Sequence, residues 1–452
     1  MLKRIQAGYA LGNVMCDVVA VMQNTYFLLF LSQVIKLDPT SCGIVLAISR
    51  LLDCGFGLVA GFFVDRFAPF SRHIDRRKFW HLVGSLIIAM SLPLQFIPPP
   101  NHDIENVDTA KTMIYYLFTF ILQCVGFAFS LITHLTVASV LAANDGDSVL
   151  LQSLKNGVTK LTFMVINLIG TFLLSVEEDE NETEIKPINW SDRDLFKYLG
   201  ICGSLASLLL VGGFHYLIKS SDLRGVSAIA REMNSSSENS GKKSTIKAVL
   251  KWFKRPPFYS FIVFYSLTWT MYLSLMSYQS FYIQITLAVD RRFVLLVPLI
   301  QNAVGFGISF GMKTLAQRVG KMVLYIIGCS VMLIVSAVIA IGHDAIGSET
   351  TIVYILAIGV GIGQSITLVQ AFVSSVYLLN IKLITQAMAD DMARLDKENS
   401  GIFYAMITTS YQLVTGSFYY KTSFICCINL YDKVYLSCQP NSSSRTRRAL
   451  KS

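Results

Sequence analysis

Charged residues are scarce in this 452-residue chain. Lys, Arg, Asp and Glu make up 15% of it, where a soluble domain of ordinary composition carries about 25%. The charges that remain gather in short segments. Between them lie apolar runs of about 20 residues, the length that crosses a hydrocarbon core of ~30 Å. Paired cysteine spacing is missing too. The nine cysteines are scattered, several of them inside apolar runs, so neither a zinc site nor a redox pair is indicated and single buried thiols are expected. No Ser-His-Asp spacing, metal-ligand cluster or phosphate loop lies outside the apolar runs, which argues against an enzyme and against a cofactor. No cleavable leader is evident, because the first apolar run is long and has no clear cleavage site. In such a chain the net charge of +9 is not read as nucleic-acid binding.

What is present is length and apolarity. Hydrophobic residues make up 53% of the chain and mean hydropathy is +0.53. Spans are expected at roughly 7–32, 41–64, 79–97, 112–142, 156–176 and 196–218, then 257–285, 293–314, 322–342, 351–380 and 401–420. Backbone groups in lipid need internal partners, so each must be helical. The expected architecture is an all-α polytopic membrane protein. A six-helix bundle spans 1–218, a polar connection 219–256, a second helical bundle 257–420 and an atypical polar tail 421–452. Within the connection, "EMNSSSENSGKK" has linker composition.

Loop charge sets the direction. Segments 65–78 and 219–256 are rich in Lys and Arg, whereas 98–111 carries Asp103, Glu105 and Asp108 and 177–196 carries "EEDENETE". Lys/Arg excess marks the cytoplasmic side, so both ends of the first six-helix half face the cytosol. The sequons at Asn181 and Asn189 fall in the acidic, non-cytoplasmic loop and are expected to carry glycans. A third sequon, at Asn234, falls in the basic connection and is expected to be unused.

Gly61-Phe-Phe-Val-Asp65-Arg66, followed by Arg76, Arg77 and Lys78, resembles the G-x-x-x-D-R pattern that joins helices 2 and 3 in the major facilitator superfamily. The glycine allows close helix approach. Asp65 can pair with a nearby Arg and face the N-terminus of another helix, where negative charge is favoured. Such a bond would hold the cytoplasmic side closed. A positive-inside loop without a gate explains the basic residues but not the Gly-to-Asp spacing. The corresponding turn of the second half, "GMKTLAQRVGK", has Leu315 where the first has Asp65.

"GNVMCD", "SRLLDCGFG" and "DRRKFWHLVGS" are similar to the glycoside–pentoside–hexuronide:cation symporter branch of that superfamily. "RRKFWHLVGSLIIAMSLPLQF", "ITHLTVASVLAAND" and "NSGIFYAM" resemble more closely the major facilitator superfamily domain-containing protein 12 group. The resemblance runs to about Gly416. It implies two helical bundles, alternating access to a small-molecule solute, and a lysosomal or related organelle membrane, with the plasma membrane as the alternative. By resemblance, and not from any spacing, it also implies import of cysteine. A coupling proton is a further implied partner, and a monomer is expected.

Ionisable residues inside spans are costly, roughly 2.5–3.5 kcal/mol each on insertion scales, and are expected to pair or to line a wet cavity. Asp17 lies in the first span, and Arg50 and Asp53 share a face of the second. They read as substrate or proton contacts, or alternatively as an Asp–Arg–Asp clamp between the two helices. The symporter branch usually has a further acid where Gly57 stands, an acid where Cys124 stands beside Gln123, and a Lys where Gln412 stands. A sodium site needs several converging oxygens, so proton coupling or facilitated exchange fits better than sodium–sugar symport. His134 reads either as a hydrogen-bonded core residue or as a proton or substrate contact. Lys155 is expected at the interface and Lys160, one turn deeper, as the better carboxylate partner. Gln301, Asn302 and Gln364 supply neutral polar groups from the second half. Gly359, Gly361 and Gly363 read as packing residues rather than a phosphate site. The aromatic run of the seventh span reads as packing, with Tyr278 and Gln279 as candidate cavity liners.

A twelfth span is absent or atypical. Residues 421–452 are interrupted by Asp432 and Lys433 and end in Arg445, Arg447, Arg448 and Lys451, which suits a truncated or alternatively spliced product better than a re-entrant tail. A sugar carrier and a non-transporting scaffold remain as rivals to an amino-acid carrier.

Overall fold

Each expected span that the structure describes is helical, and side chains that bond the first free amides fix where several of them begin. The computed structural model describes residues 2–67, 74–142, 145–176, 188–223, 256–281, 283, 291–341, 350–378, 402, 405–406 and 408–417. Asn181, Asn234, most of the 219–256 connection, the 421–452 tail and the Tyr278 side chain lie outside the described residues.

The first span is built of α1 (Lys3–Gly12), α2 (Val14–Val21) and two π-helical stretches, Met22–Phe27 and Phe30–Val34, with Asn13 at the break between α1 and α2. The first bundle continues with α3 (Pro39–Arg66), α4 (Arg76–Gln95), α5 (Thr109–Leu141), α6 (Asp145–Val176) and α7 (Arg193–Leu217). The second contains α8 (Pro256–Phe281), α9 (Arg291–Val319), α10 (Lys321–Ile341), α11 (Thr350–Leu378) and a helical stretch at 408–417. Among the described residues five helical stretches are long and apolar enough to cross a membrane, and three shorter ones are apolar.

Three starts use the same device. Asp38, Asp75 and Asp108 accept hydrogen bonds from the backbone N–H of Ser41, Arg77 and Lys111, and Pro39 opens α3. Each carboxylate satisfies an amide that the helix cannot, and proline at the first position loses no bond. At the other end of α7, cations perform the complementary task. Lys78 Nζ donates to the carbonyls of His215 (2.9 Å) and Ile218 (2.6 Å). Arg4 donates to the Leu217 carbonyl and pairs with Asp222 at 2.9 Å. Positive charge at a helix C-terminus is stabilising, and here it ties α1, α4 and α7 together at the basic end of the bundle.

In a membrane interior, small residues let helix backbones approach. A Cβ on Gly84 of α4 would stand 2.6 Å from Ser130 N and 2.7 Å from Gly126 O of α5. In the second bundle a Cβ on Gly361 would stand 2.6 Å from Gln301 O, so this glycine of "IGVGIGQ" seats α11 on α9. The two bundles meet chiefly where α6 packs along α9, and also where α3 runs beside residues 408–417.

Gly84→Ala is expected to lower stability by about 1–3 kcal/mol, the usual cost of overpacking, because backbone cannot yield as a side chain can. Gly55→Ala, with nothing within 4 Å of the added carbon, is expected to be neutral. Thermal unfolding of the detergent-solubilised protein, followed by size-exclusion chromatography, checks the pair.

Candidate functional site

Between the bundles lies a cavity of about 100 Å³. Water occupies roughly 30 Å³ per molecule in the liquid, so the space suits a small solute. Its walls come from the first span, α3, α5, α6, α8, α11 and the 408–417 stretch. Asp17, Arg50 and Asp53 all reach it, as do Asn13, Gln23, Asn24, Lys155, Asn156 and Thr159.

The buried charges are held individually. Arg50 Nη2 donates to Asn24 Oδ1 at 2.6 Å, and Nη1 lies 3.5 Å from Asp53 Oδ2 on its own helix. The Asn24 amide is turned for this, because its Nδ2 bonds the Ala20 carbonyl at 2.8 Å. Asn24 sits in the π-helical stretch Met22–Phe27, and such distortions recur at functional sites. Asp17 Oδ1 accepts from Asn13 Nδ2 at 2.6 Å and Thr159 Oγ1 at 2.9 Å, while its Oδ2 is buried with no hydrogen-bond partner among the described residues. The bridge between the first span and α3 is therefore Asn24–Arg50–Asp53. Asp17 is held apart from it by the first span and α6.

Lys155 corrects the expectation that favoured Lys160. α6 begins at Asp145, so Lys155 stands nearly three turns inside the helix, is 5% exposed and lines the cavity. Lys160 is also buried, but its Nζ lies over the Tyr272 ring at 5.2 Å and its stem runs past Gly305. The aromatic wall was missed as well. Tyr265, Trp269 and Tyr272 of α8 line the cavity with Tyr411, whose ring stacks on Trp269 at 5.2 Å. Gln279 is half-buried and is not in the wall.

Other expected residues lie elsewhere. Gln123 is buried outside the cavity and accepts from Ser91 at 2.6 Å. Cys124 packs beside Asp53, with its Sγ 3.7 Å from the Ser49 carbonyl. Asn302 bonds the Pro298 carbonyl at 2.7 Å, and Gln301 and Gln364 are buried in the second bundle away from the wall. His134 is buried against Tyr9, ring centres 4.3 Å apart, and is not a core histidine with bonded nitrogens: neither has a partner among the described residues.

At the basic end, Asp65 is buried and its Oδ2 accepts from Ile402 N at 2.8 Å, joining α3 to the second bundle. Arg76 Nη1 donates to the Asp65 carbonyl, Arg66 is exposed, and Arg77 lies 4.0 Å from Asp75. Gly61 is buried one turn before Asp65. Lys78, grouped with these by sequence, instead serves the end of α7. On the opposite flank, Asn156 of α6 donates to Ser309 of α9 at 2.8 Å.

Two helical bundles with a charged cavity between them are the layout of a solute carrier, and the sequence agrees. The family model described as MFS/sugar transport protein matches residues 8–417. The chain belongs to this family of the major facilitator superfamily. It is thus a polytopic membrane transporter of some solute, and the family and fold are those of transporters rather than enzymes. Human major facilitator superfamily domain-containing protein 12 is 25% identical over 405 residues, covering 87% of this chain and 82% of the human one. The horse protein of that name is 25% identical over 379 residues, covering 82% and 77%. Among solved structures, the proton:xylose symporter XylE bound to 6-bromo-6-deoxy-D-glucose superposes with a TM-score of 0.59 at 12% identity, covering 95% of each chain. The nucleoside transporter NupG gives 0.51 at 12%, covering 95% of this chain and 99% of the other. At such identities the likeness concerns the fold.

Asn24→Val is expected to cost this carrier about 1.5–3 kcal/mol, the range for a hydrogen bond to a charged group, whereas Asn24→Asp keeps the acceptor for Arg50 and most of the stability. Thermal midpoints in detergent, measured side by side, distinguish the two.

Proposed function

We propose that this carrier moves a small zwitterionic solute, an amino acid such as cysteine, by alternating access. One observation carries the reading: a single small cavity is lined by carboxylates of Asp17 and Asp53 and by cations of Arg50 and Lys155. An ammonium and a carboxylate on one molecule match that set, and charge-assisted hydrogen bonds are about twice as strong as neutral ones. The buried Asp17 Oδ2, which has no hydrogen-bond partner among the described residues, can accept from such an ammonium. Cysteine in particular, and a lysosomal or related membrane, come from the resemblance to the domain-containing protein 12 group. With Gly57 and Cys124 in place of acids, coupling to a proton or simple exchange suits the cavity better than sodium.

A sugar carrier is the second reading. It is favoured by the Trp269–Tyr411 stack in the wall, an apolar face of the kind a pyranose ring can cover. A scaffold has no use for four charges around a cavity.

Counterflow of labelled cysteine, other small amino acids, xylose and glucose in proteoliposomes decides between these. A small amino acid is expected to exchange and the sugars not. Asp53→Asn is expected to leave a well-folded protein with uptake reduced at least tenfold, and the swap Arg50→Asp with Asp53→Arg not to restore it. Sugar counterflow, or full uptake by Asp53→Asn, would sink the proposal.

The Asp65–Ile402 bond is the proposed closure of the basic end. The charged carboxylate makes this a charge-assisted bond, and Asp65→Asn gives up the charge while keeping the shape. Cysteines placed on the cavity wall are expected to label faster from the basic side in this variant, by a population shift toward the open state. Unchanged labelling counts against a gate.

A further inference from the structure

Three of the six histidines of the chain meet outside the solute cavity, on α4, α5 and α7, against the break between α1 and α2. His81 and His134 are fully buried and His215 is half-buried near the basic end. We propose that His215, His81 and His134 form a proton path from the basic end to Asp17, separate from the path of the solute. The proposal rests on reading Asp17 as a solute or proton contact.

Hydrogen-bond chemistry gives the path a direction. His81 Nε2 is 2.9 Å from the Gly12 carbonyl, and a carbonyl can only accept, so Nε2 carries the hydrogen. Neutral His81 then presents the lone pair of Nδ1 to His215 Nε2, 3.3 Å away, and His215 must be the donor there. A proton passed from His215 arrives on Nδ1, and the proton that leaves is the one on Nε2, toward Gly12. His134 waits at that same point of the backbone. A Cβ on Gly12 would come within 2.9 Å of His134 Nδ1, so only glycine admits the ring here. The ring centres of His81 and His134 are 6.1 Å apart, the rings tilted against each other, so the two imidazoles are direct neighbours.

On the proposed path the last step runs past Asn13, which lines the cavity. Asn13, the next residue after Gly12, donates to Asp17 Oδ1. Asn13 Oδ1 and Asp17 Oδ2 are both buried without hydrogen-bond partners among the described residues. Other charged and titratable groups face the cluster from every side. Tyr9 of α1 stacks on His134, Lys78 of α4 lies one turn from His81, and Lys155 of α6 lies within electrostatic range of His134. Cys16 and Asp17 come from α2, and the Arg4–Asp222 pair closes the rim beyond α7. Two cations flank the imidazoles and a carboxylate stands at the end, so a proton is drawn toward Asp17 and the histidines carry it in transit. Packing alone accounts for His81 and His215, whose nitrogens bond each other and Gly12, but not for His134, whose two nitrogens have no partner among the described residues.

Proteoliposomes containing a trapped pH dye test the path, with solute counterflow measured in parallel because exchange needs no net proton movement. Wild-type carrier is expected to show both solute counterflow and solute-driven proton flux. In His81→Gln and His215→Gln, proton flux is expected to fall at least tenfold while counterflow stays within twofold of wild type. In His134→Gln, proton flux is expected to fall similarly. The half-buried His215 tolerates substitution best and serves if a buried variant fails to fold. Wild-type counterflow without proton flux overturns the path and leaves the solute reading standing, whereas absence of amino-acid counterflow strikes the solute reading itself. Unchanged proton flux in folded His215→Gln, or equal loss of flux and counterflow, shows that the histidines only pack.

Discussion

The Arg50 guanidinium sits where water is largely withdrawn, its side chain 14% exposed. Everything around the cavity follows from holding that guanidinium. Removing one partner of a buried charge is far more costly than the pair is stabilising, so the surrounding helices must deliver polar groups and keep them. Asp53 comes from the same face of α3, but at 3.5 Å it is a long contact. The short one, 2.6 Å, comes from Asn24 across the helix interface. Asn24 lies where the first span is π-helical rather than α-helical, and its side chain also takes the Ala20 carbonyl. The distortion of the first span and the charge on α3 thus form one arrangement.

The same logic makes the two bundles unequal. The first supplies all four of the cavity's charged side chains, from α2, α3 and α6, while the second supplies aromatic rings and hydroxyls. At the basic end the first bundle contributes Asp65 to a backbone amide of the second, and the second has Leu315 at the matching position. On the proposed reading, charge stays with one bundle while the other rocks across it. Aromatic faces suit that task because they make contact without requiring a fixed partner for each hydrogen bond. The α6–α9 contact, with Asn156 on Ser309, supplies neutral polar closure that costs little to break.

Much of this was legible in the sequence for a physical reason: lipid leaves the backbone no choice but helix, so apolar runs translate directly into elements. Asp17, Arg50 and Asp53 stood out because charge in an apolar run is expensive. What stayed hidden carries no such signal. Asn24 is neutral and looks like any tolerated polar residue in a span. Lys155 was misplaced because α6 starts about ten residues before its apolar stretch does, and a helix extending beyond the hydrocarbon leaves no mark in hydropathy. Tyr265, Trp269 and Tyr272 were lost in a helix that is aromatic on every side, where periodicity cannot say which face turns inward. His81 lies within "RKFWHLVG", legible as a family mark but not as part of a cluster, because its partners on α5 and α7 are more than 50 residues away.

The fold itself says little about cargo. Carriers of a pentose and of nucleosides share this backbone arrangement at 12% identity, so the substrate is decided by side chains grafted on a common frame. By the resemblance to the symporter branch, Gly57 and Cys124 stand where further acids are expected. Gly57 gives its space to the 408–417 stretch: a Cβ there would already touch Thr409 at 3.5 Å. Cys124 leaves Asp53 beside a thiol and Arg50 instead of a second carboxylate. On the proposed reading, the cavity around Arg50 holds both signs at once rather than attracting a cation alone. A metal cation gains little from such a site, and a sugar has no charge to place in it. On the proposed reading, an amino acid brings both charges, at the separation that its own Cα fixes, into a space of its own size.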